Sequence, residues 1–213
     1  MIESGAGIIL RTLPLTETSL IVHWLSPNFG RIATVAKGAR RAKSPFAGKL
    51  DLFYEADISV GRSRSSDLHT LREVNLRQTN AALRLDVGKL RQAAYAAGFI
   101  VQATEPETPL PDIFELFRQF LGSLCAHEVS PQMPLAFEVK MLVELGLEPN
   151  WKESKLEPGT KKIIEAMLHR DFASILSVKP TDKQVTELRQ FLHGFIIFHL
   201  GKTTRGRGRL IES

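Results

Sequence analysis

Two periods of hydrophobicity divide this chain. Over roughly the first seventy-five residues, apolar and polar positions alternate in short runs bounded by turn residues, the pattern of half-buried strands. Residues 7–14 (GIILRTLP) and 19–26 (SLIVHWLS) form the first two runs, and Pro27, Asn28, Phe29 and Gly30 make a strong turn after them. The third run sets Ile32, Thr34 and Ala36 against Ala33 and Val35 and breaks at Gly38. The fourth, over 53–60, sets Tyr54, Ala56, Ile58 and Val60 against Glu55, Asp57 and Ser59. A polar tip at 61–67 then leads to a fifth run over 68–76.

After Asn80 the period becomes about 3.6. Leu90, Ala93, Ala94, Ala97 and Val101 make one helical stripe, and Pro106, Pro109 and Pro111 break it. Ile113, Leu116, Phe117, Phe120, Leu121 and Leu124 make the next, with Asp112 and Glu115 in its first turn. A helix follows over about 132–145 and stops at Gly146; residues 148–159 read as a loop and 161–169 as a short helix. The last helix opens with a capping box, Thr181 and Gln184, carries Val185, Leu188, Leu192, Phe195 and Ile196, and ends at Gly201. These stripes read as core, and no internal repeat is evident. The fold class expected is α+β. A five-stranded OB-type β-barrel occupies 1–79, with a longer connection after its third strand. An all-α helical domain follows over 80–200, and a basic flexible tail over 201–213.

Composition adds limits rather than a function. At 213 residues, 43% hydrophobic and 24% charged, the chain is an ordinary globular one. No apolar run reaches the ~20 residues of a membrane span, and the start, MIESGAGIIL, lacks the basic n-region of a secretory signal. The expected compartment is the cytoplasm, without membrane contact. Cys125 is the single cysteine, so no internal disulfide and no multi-cysteine zinc site can form. Catalytic constellations are also lacking. The six histidines are scattered; Glu165 and His169 share a helix face at i, i+4, which an ordinary surface hydrogen bond explains far better than a metal would. Cys125 reads as a buried inert thiol, and there is no phosphate-cradling glycine loop. No catalytic residue, metal or cofactor is expected.

Charge is where the chain departs from the ordinary. Residues 1–80 hold eleven basic and seven acidic side chains, 81–200 hold thirteen and fifteen, and the last thirteen hold four and one. The excess is densest over 31–53 (RIATVAKGARRAKSPFAGKLDLF), where Arg31, Lys37, Arg40, Arg41, Lys43 and Lys49 precede the first acid, Asp51. Cations crowded at a strand end repel one another, and a polyanion is the usual compensation; a solvated surface loop is the plainer alternative. Arg62 and Arg64 on the 61–67 tip join them as candidates for one rim of the barrel; Lys202, Arg205, Arg207 and Arg209 in the flexible tail are separate candidate contacts, with a solvated disordered end as the alternative. Such contacts grip phosphate and do not read bases. Phe29 and Phe46 either stack on bases or plug the barrel ends, and the sequence leaves both open.

The run Lys-Gly-Ala-Arg-Arg-Ala-Lys-Ser at 37–44 resembles the RecO family of recombinational DNA repair proteins. The resemblance continues at 50–53, at 137–149 (FEVKMLVELGLEP) and at 200–204 (LGKTT). It implies an N-terminal OB domain and a helical C-terminal domain, binding to single- and double-stranded DNA, and annealing of complementary strands. It also implies partners: RecR, single-strand-binding protein and, indirectly, RecA, with a nucleoid-associated location. Carried over by position, Lys37, Arg40, Arg41, Lys43 and Ser44 are the expected DNA contacts. Many members carry a four-cysteine zinc module after the segment matching 147–151; the cysteine-free 150–154 indicates that zinc is absent. A non-enzymatic DNA mediator is therefore the leading expectation. An RNA- or ribosome-associated OB protein is the alternative, followed by a protein-docking scaffold and, least, a metal-dependent nuclease.

Overall fold

The computed structural model describes residues 1–208. Its N-terminal part is a closed barrel of five strands, β1 (Ile2–Pro14), β2 (Leu20–Ser26), β3 (Gly30–Ala36), β4 (Glu55–Gly61) and β5 (Leu68–Gln78), in the order β1-β2-β3-β5-β4. All pairings are antiparallel except β3 with β5. Closure depends on the length of β1. Its residues Ile2 to Ile8 pair with β4 and Ile8 to Pro14 with β2, and a register shift between Ile9 and Arg11 lets the strand turn from one neighbour to the other. The first strand thus begins well before the alternation becomes visible at residue 7. Its start, Ile2 to Gly7, is held by backbone pairing with β4 and carries little hydrophobic pattern of its own.

Inward positions follow the alternation. Val22 and Trp24 of β2, Ile32 and Ala36 of β3, Ala56, Ile58 and Val60 of β4, and Leu71 and Val74 of β5 form one buried cluster. Trp24 keeps its indole N–H satisfied inside the barrel by donating to Thr34 Oγ1 at 2.9 Å. The fourth strand starts at Glu55, two residues later than the alternation suggests. Phe53 sits at φ 63° and donates its amide to Ile9 O at 2.9 Å, while Asn80 Nδ2 donates to Phe53 O at 2.8 Å. That turn ends the preceding loop rather than opening the strand.

The chain forms two compact units that do not follow sequence order: residues 1–81 with 104–118, and residues 82–103 with 119 onward. The proline-rich break belongs to the barrel unit. Glu107 N donates to Arg31 O and Leu110 N to Pro27 O, both at 3.0 Å. Gly30 permits this approach, because at φ +64° a Cβ would stand 1.9 Å from Thr108 O.

The second unit is helical: a 3₁₀ turn (Ala81–Leu85), α1 (Val87–Ala103), the later part of α2 (Pro111–Ala126), α3 (Gln132–Glu144), α4 (Pro158–His169), α5 (Phe172–Ile175) and α6 (Asp182–Leu200). Every residue of the α2 stripe is buried. The α1 stripe is different. Ala94 and Val101 face solvent, and the buried side carries Gln92, Tyr95, Ala96, Phe99 and Ile100 beside Ala93 and Ala97. Alanine on both sides of a helix gives a weak moment, so its bulky residues decide the face. α6 has its capping box at Thr181 and Gln184, and Gly201 ends it at φ 73°.

Candidate nucleic-acid interface

The connection from β3 to β4 is a chain of tight turns. Arg41 N bonds to Gly38 O, Ser44 N to Arg41 O, Ala47 N to Ser44 O and Lys49 N to Phe46 O, all within 3.0–3.1 Å. Gly38 at φ 70° starts the series, and Ser44 Oγ accepts from Phe46 N at 3.2 Å. Small residues and turn formers therefore keep the segment short-ranged and ordered, without a helix. Phe46 fastens it. Its ring is buried in the barrel cluster, with Ala39 and Leu50 packed against the same cluster. Phe29 is buried there too. Both rings plug the barrel, and neither is presented for stacking.

What the anchored turns expose is charge. Lys37, Arg40, Arg41 and Lys43 are all solvent-exposed. Among the described residues, none of the four forms an ion pair with a carboxylate. Arg40 is positioned by its neighbours: its amide donates to Thr18 O at 3.0 Å and its Nη1 to Thr16 O at 3.1 Å. The turn between β1 and β2 thereby braces the basic segment. Between them lies a cleft of about 440 Å³ lined by Leu15, Thr16, Thr18, Ser19, Val35, Lys37, Gly38 and Arg41. Two cations and three hydroxyl-bearing side chains around one cleft suit a phosphate group. Ser44 is half-buried and serves its turn. Lys49 is half-buried as well, and its ammonium donates to Val74 O at 3.1 Å.

The other predicted cations part company with this group. Arg31 turns its guanidinium to Thr104, with Nε to Oγ1 at 2.8 Å and Nη2 to the carbonyl at 2.5 Å, and burial lowers its pKa from the usual arginine value. It holds the proline-rich segment against β3. Arg62 is a brace: it pairs with Glu3 at 3.1 Å and Glu107 at 3.2 Å, and its guanidinium carbon lies 5.4 Å from the centre of the Phe29 ring. Of the two cations on the tip, only Arg64 is exposed.

The tip is also not on the rim of the basic run. Leu68, which follows it, pairs with Ala33 in parallel, so the tip adjoins the start of β3 whereas Lys37 follows its end. Four residues of strand, roughly 13 Å at the usual rise, separate the two levels.

The tail divides in the same way. Lys202 and Arg205 are exposed, but Arg207 is buried. Arg207 Nε and Nη2 reach the Glu138 carboxylate at 2.8 and 2.7 Å, and the Tyr95 hydroxyl donates to the same carboxylate. Thr204 is buried beside Gln102, to which its hydroxyl donates at 3.1 Å. Residues 202–208 are thus docked, and Arg207 is a structural ion pair rather than a DNA contact, because a fully buried Glu138 demands a cation. Arg209 lies outside the described residues.

Two polar residues that sequence reasoning passed over lie on the outer face of the sheet. Arg11, His23 and Ala33 are register partners across β1, β2 and β3. Burial lowers the His23 pKa first, and the nearby Arg11 and Arg31 lower it further. The alternation of β2 already set His23 opposite Trp24, but only the strand register brings Arg11 beside it.

Among the described residues, no group of three or more His, Cys, Asp and Glu side chains is placed to hold a metal ion. Burial pushes the Cys125 thiol up, away from the thiolate that reactivity needs. No described helix is long and apolar enough to cross a membrane.

A closed five-stranded barrel with the OB strand order, a cationic β3–β4 connection and a helical second unit define the class of protein. Residues 1–80 match the family described as Recombination protein O N terminal, and 84–154 match Recombination protein O C terminal. The chain belongs to the RecO family. A DNA repair protein RecO from Rhodopirellula baltica is 32% identical over 143 residues, covering 67% of this chain and 53% of that protein. Those from Myxococcus xanthus and Bacillus cytotoxicus are each 29% identical, over 72% and 70% of this chain and 62% and 59% of theirs. The matched region thus spans little more than half the length of these relatives. The RNA- or ribosome-associated alternative finds no support among them.

Proposed function

We propose that this protein is a DNA repair and recombination mediator that grips the DNA backbone through the β3–β4 connection of its barrel. The observation that carries the reading is the exposed, carboxylate-free group of Lys37, Arg40, Arg41 and Lys43, held on turns that Phe46 and Arg40 fasten to the barrel. Four like charges on an anchored segment repel one another, and phosphate relieves that repulsion without a sequence requirement. Single and double strands are both substrates on this reading. Annealing follows because neutralised strands approach each other at lower cost. Arg64, Lys202 and Arg205 are secondary contacts, Lys49 and Ser44 support the surface, and Arg31 and Arg62 brace the opposite end of the barrel.

Residues 1–79 supply the DNA-binding domain, and 80–200, slightly acidic, supply surfaces for the protein partners expected of the family. Those are RecR and single-strand-binding protein, with RecA loaded as the consequence. The reaction needs no catalytic residue or cofactor of this chain.

The test is an annealing assay with complementary strands, bare and coated with single-strand-binding protein, beside a salt titration of binding. Charge reversal at Arg40 and Arg41 together is expected to weaken binding of both strand types and to slow annealing. Normal binding by that double variant at moderate salt would refute the placement.

A further inference from the structure

Helix α6 lies beyond residue 154, where the match to the family's C-terminal description ends. Its inward side is ordinary, with Leu188, Leu192 and Ile196 buried. Its outward side is not. At about 100° per residue, Gln190, Gly194, Ile197, Phe198 and Gly201 share one face, and all five are exposed. Phe198 is 82% exposed and Ile197 42%. Beside them Phe191, Phe195 and His199 form a row of rings with centroids 6.2 and 4.3 Å apart, which Trp151 continues at 5.4 Å from Phe191. Phe191 and Phe195 are only half-buried, so apolar side chains reach solvent over about two turns of helix.

The spacing on that face is close to a palindrome: a glycine, two residues, Ile197, Phe198, two residues and a glycine. Gly201 is required by the helix end, where its φ is 73°. Gly194 is required by nothing in the described residues. It sits inside the helix, outside the left-handed region, and a Cβ there would meet no atom of another element within 4 Å. Glycine is the weakest helix former apart from proline. What it offers here is a bare helix surface that a second helix can approach closely.

The partner that fits such a face is another copy of it. Two α6 helices crossing antiparallel about a two-fold axis between Ile197 and Phe198 set Ile197 against Phe198 twice, with a glycine at each margin. Charge selects this direction. Glu157 takes Lys183 and Glu138 takes Arg207, so the start of the helix keeps Asp182 and Glu187 while its end is followed by Lys202 and Arg205. An antiparallel crossing brings acids to cations at both ends, whereas a parallel one brings like charges together.

We infer that α6 is the contact through which two copies of this chain pair. Each copy brings one β3–β4 connection, so the pair holds two DNA backbones at once, as annealing demands. That consequence rests on the DNA-binding reading above; the pairing itself does not.

The test is sedimentation of the full chain over roughly 1–100 μM, the range suited to a contact of one helix pair. A concentration-dependent shift from monomer to dimer is expected. Phe198→Ser and Gly194→Gln should each weaken the dimer about tenfold or more. Gly194→Gln should also raise the melting temperature of the dilute protein by about 2 °C, because glutamine favours helix. Lys202→Glu with Arg205→Glu should weaken an antiparallel dimer, whose ends would then meet acid on acid, and leave a parallel one unchanged. A monomer at every concentration, or a dimer that survives any of these substitutions, overturns the inference. So does a lower melting temperature for Gly194→Gln, since the glycine would then serve the chain's own fold. If the protein stays monomeric while Phe198→Ser slows annealing of strands coated with single-strand-binding protein, the face takes a different partner and the pairing is wrong. If the pairing holds but charge reversal at Arg40 and Arg41 leaves DNA binding unchanged, the dimer stands and the two-strand consequence falls.

Discussion

Two segments of this chain look alike in sequence and behave in opposite ways. Residues 37–44 and 202–209 each space four cations with glycine and other small residues. In the first, Lys37, Arg40, Arg41 and Lys43 all stand in solvent. In the second, Arg207 is withdrawn into the helical unit and forked onto Glu138. The difference lies in what each segment finds beneath it. The barrel end offers the basic turns an apolar seat for Phe46 and carbonyls for Arg40, so the chain is anchored without consuming charge. The helical unit holds a carboxylate with no solvent exposure, and a buried carboxylate in that position takes the nearest guanidinium. Cation density alone therefore does not tell which cations stay in solvent; whether a buried acid lies within reach does.

The most forceful way to break the comparison is to remove Arg207. Arg207→Ala leaves Glu138 buried with only the Tyr95 hydroxyl, and chemical denaturation should show a loss of about 3–5 kcal/mol. DNA affinity, measured where the variant is folded, should not change. A variant that is stable but binds DNA weakly would return Arg207 to the interface.

Phe46→Ala strikes the anchor of the other segment. A buried phenylalanine truncated to alanine typically costs about 3–5 kcal/mol, and the melting temperature of the variant reads that loss. If Phe46 stacked on bases instead, the variant would melt normally and lose only single-strand affinity.

Charge reversal at Arg40 and Arg41 is the converse experiment. Stability should fall by only about 1 kcal/mol, the share of the hydrogen bond from Arg40 to Thr16 O. The slope of log affinity against log salt should become shallower by roughly 1.5, the share of two phosphate contacts. The same pair of measurements on Arg207→Ala should give the reverse outcome, which sharpens the contrast most directly.

The smallest effect concerns pH. The folded-state pKa of His23 lies below its ordinary 6.5, so the folded protein binds fewer protons there than the unfolded chain does. The stability that goes with the neutral ring is complete above about 6.5 and is lost as pH falls through the folded value. His23 is half-exposed, so solvent screening keeps the slope shallow. Thermal melts between neutral and mildly acidic pH should show that slope in the native protein, and His23→Gln should remove it.

Much of this was legible along the chain. Period-two alternation located all five strands, because a small barrel buries one face of each and so must alternate. The Thr181 and Gln184 capping box, the Gly201 stop and the α2 stripe were equally plain, since each is set by local spacing. The basic turns were legible as charge, and Gly38, Ser44 and Pro45 as turn chemistry. The buried Arg207 had a sequence signal too. Glu138 sits between Phe137 and Val139 on a helix buried almost all round, and a carboxylate there needs a cation from somewhere. The sequence does not say which cation, because the two residues are 69 positions apart.

By itself, then, the chain determined the periods, the turns, the caps and the total of charge, all of which act over a few neighbouring residues. Only the tertiary structure decided which cations remain free. The closing of β1 onto both β2 and β4, the parallel pairing that sets the 61–67 tip and the basic run at opposite ends of β3, and the seating of Arg31 on Thr104 are all long-range. A guanidinium takes the best acceptor within reach, and reach is a property of the fold.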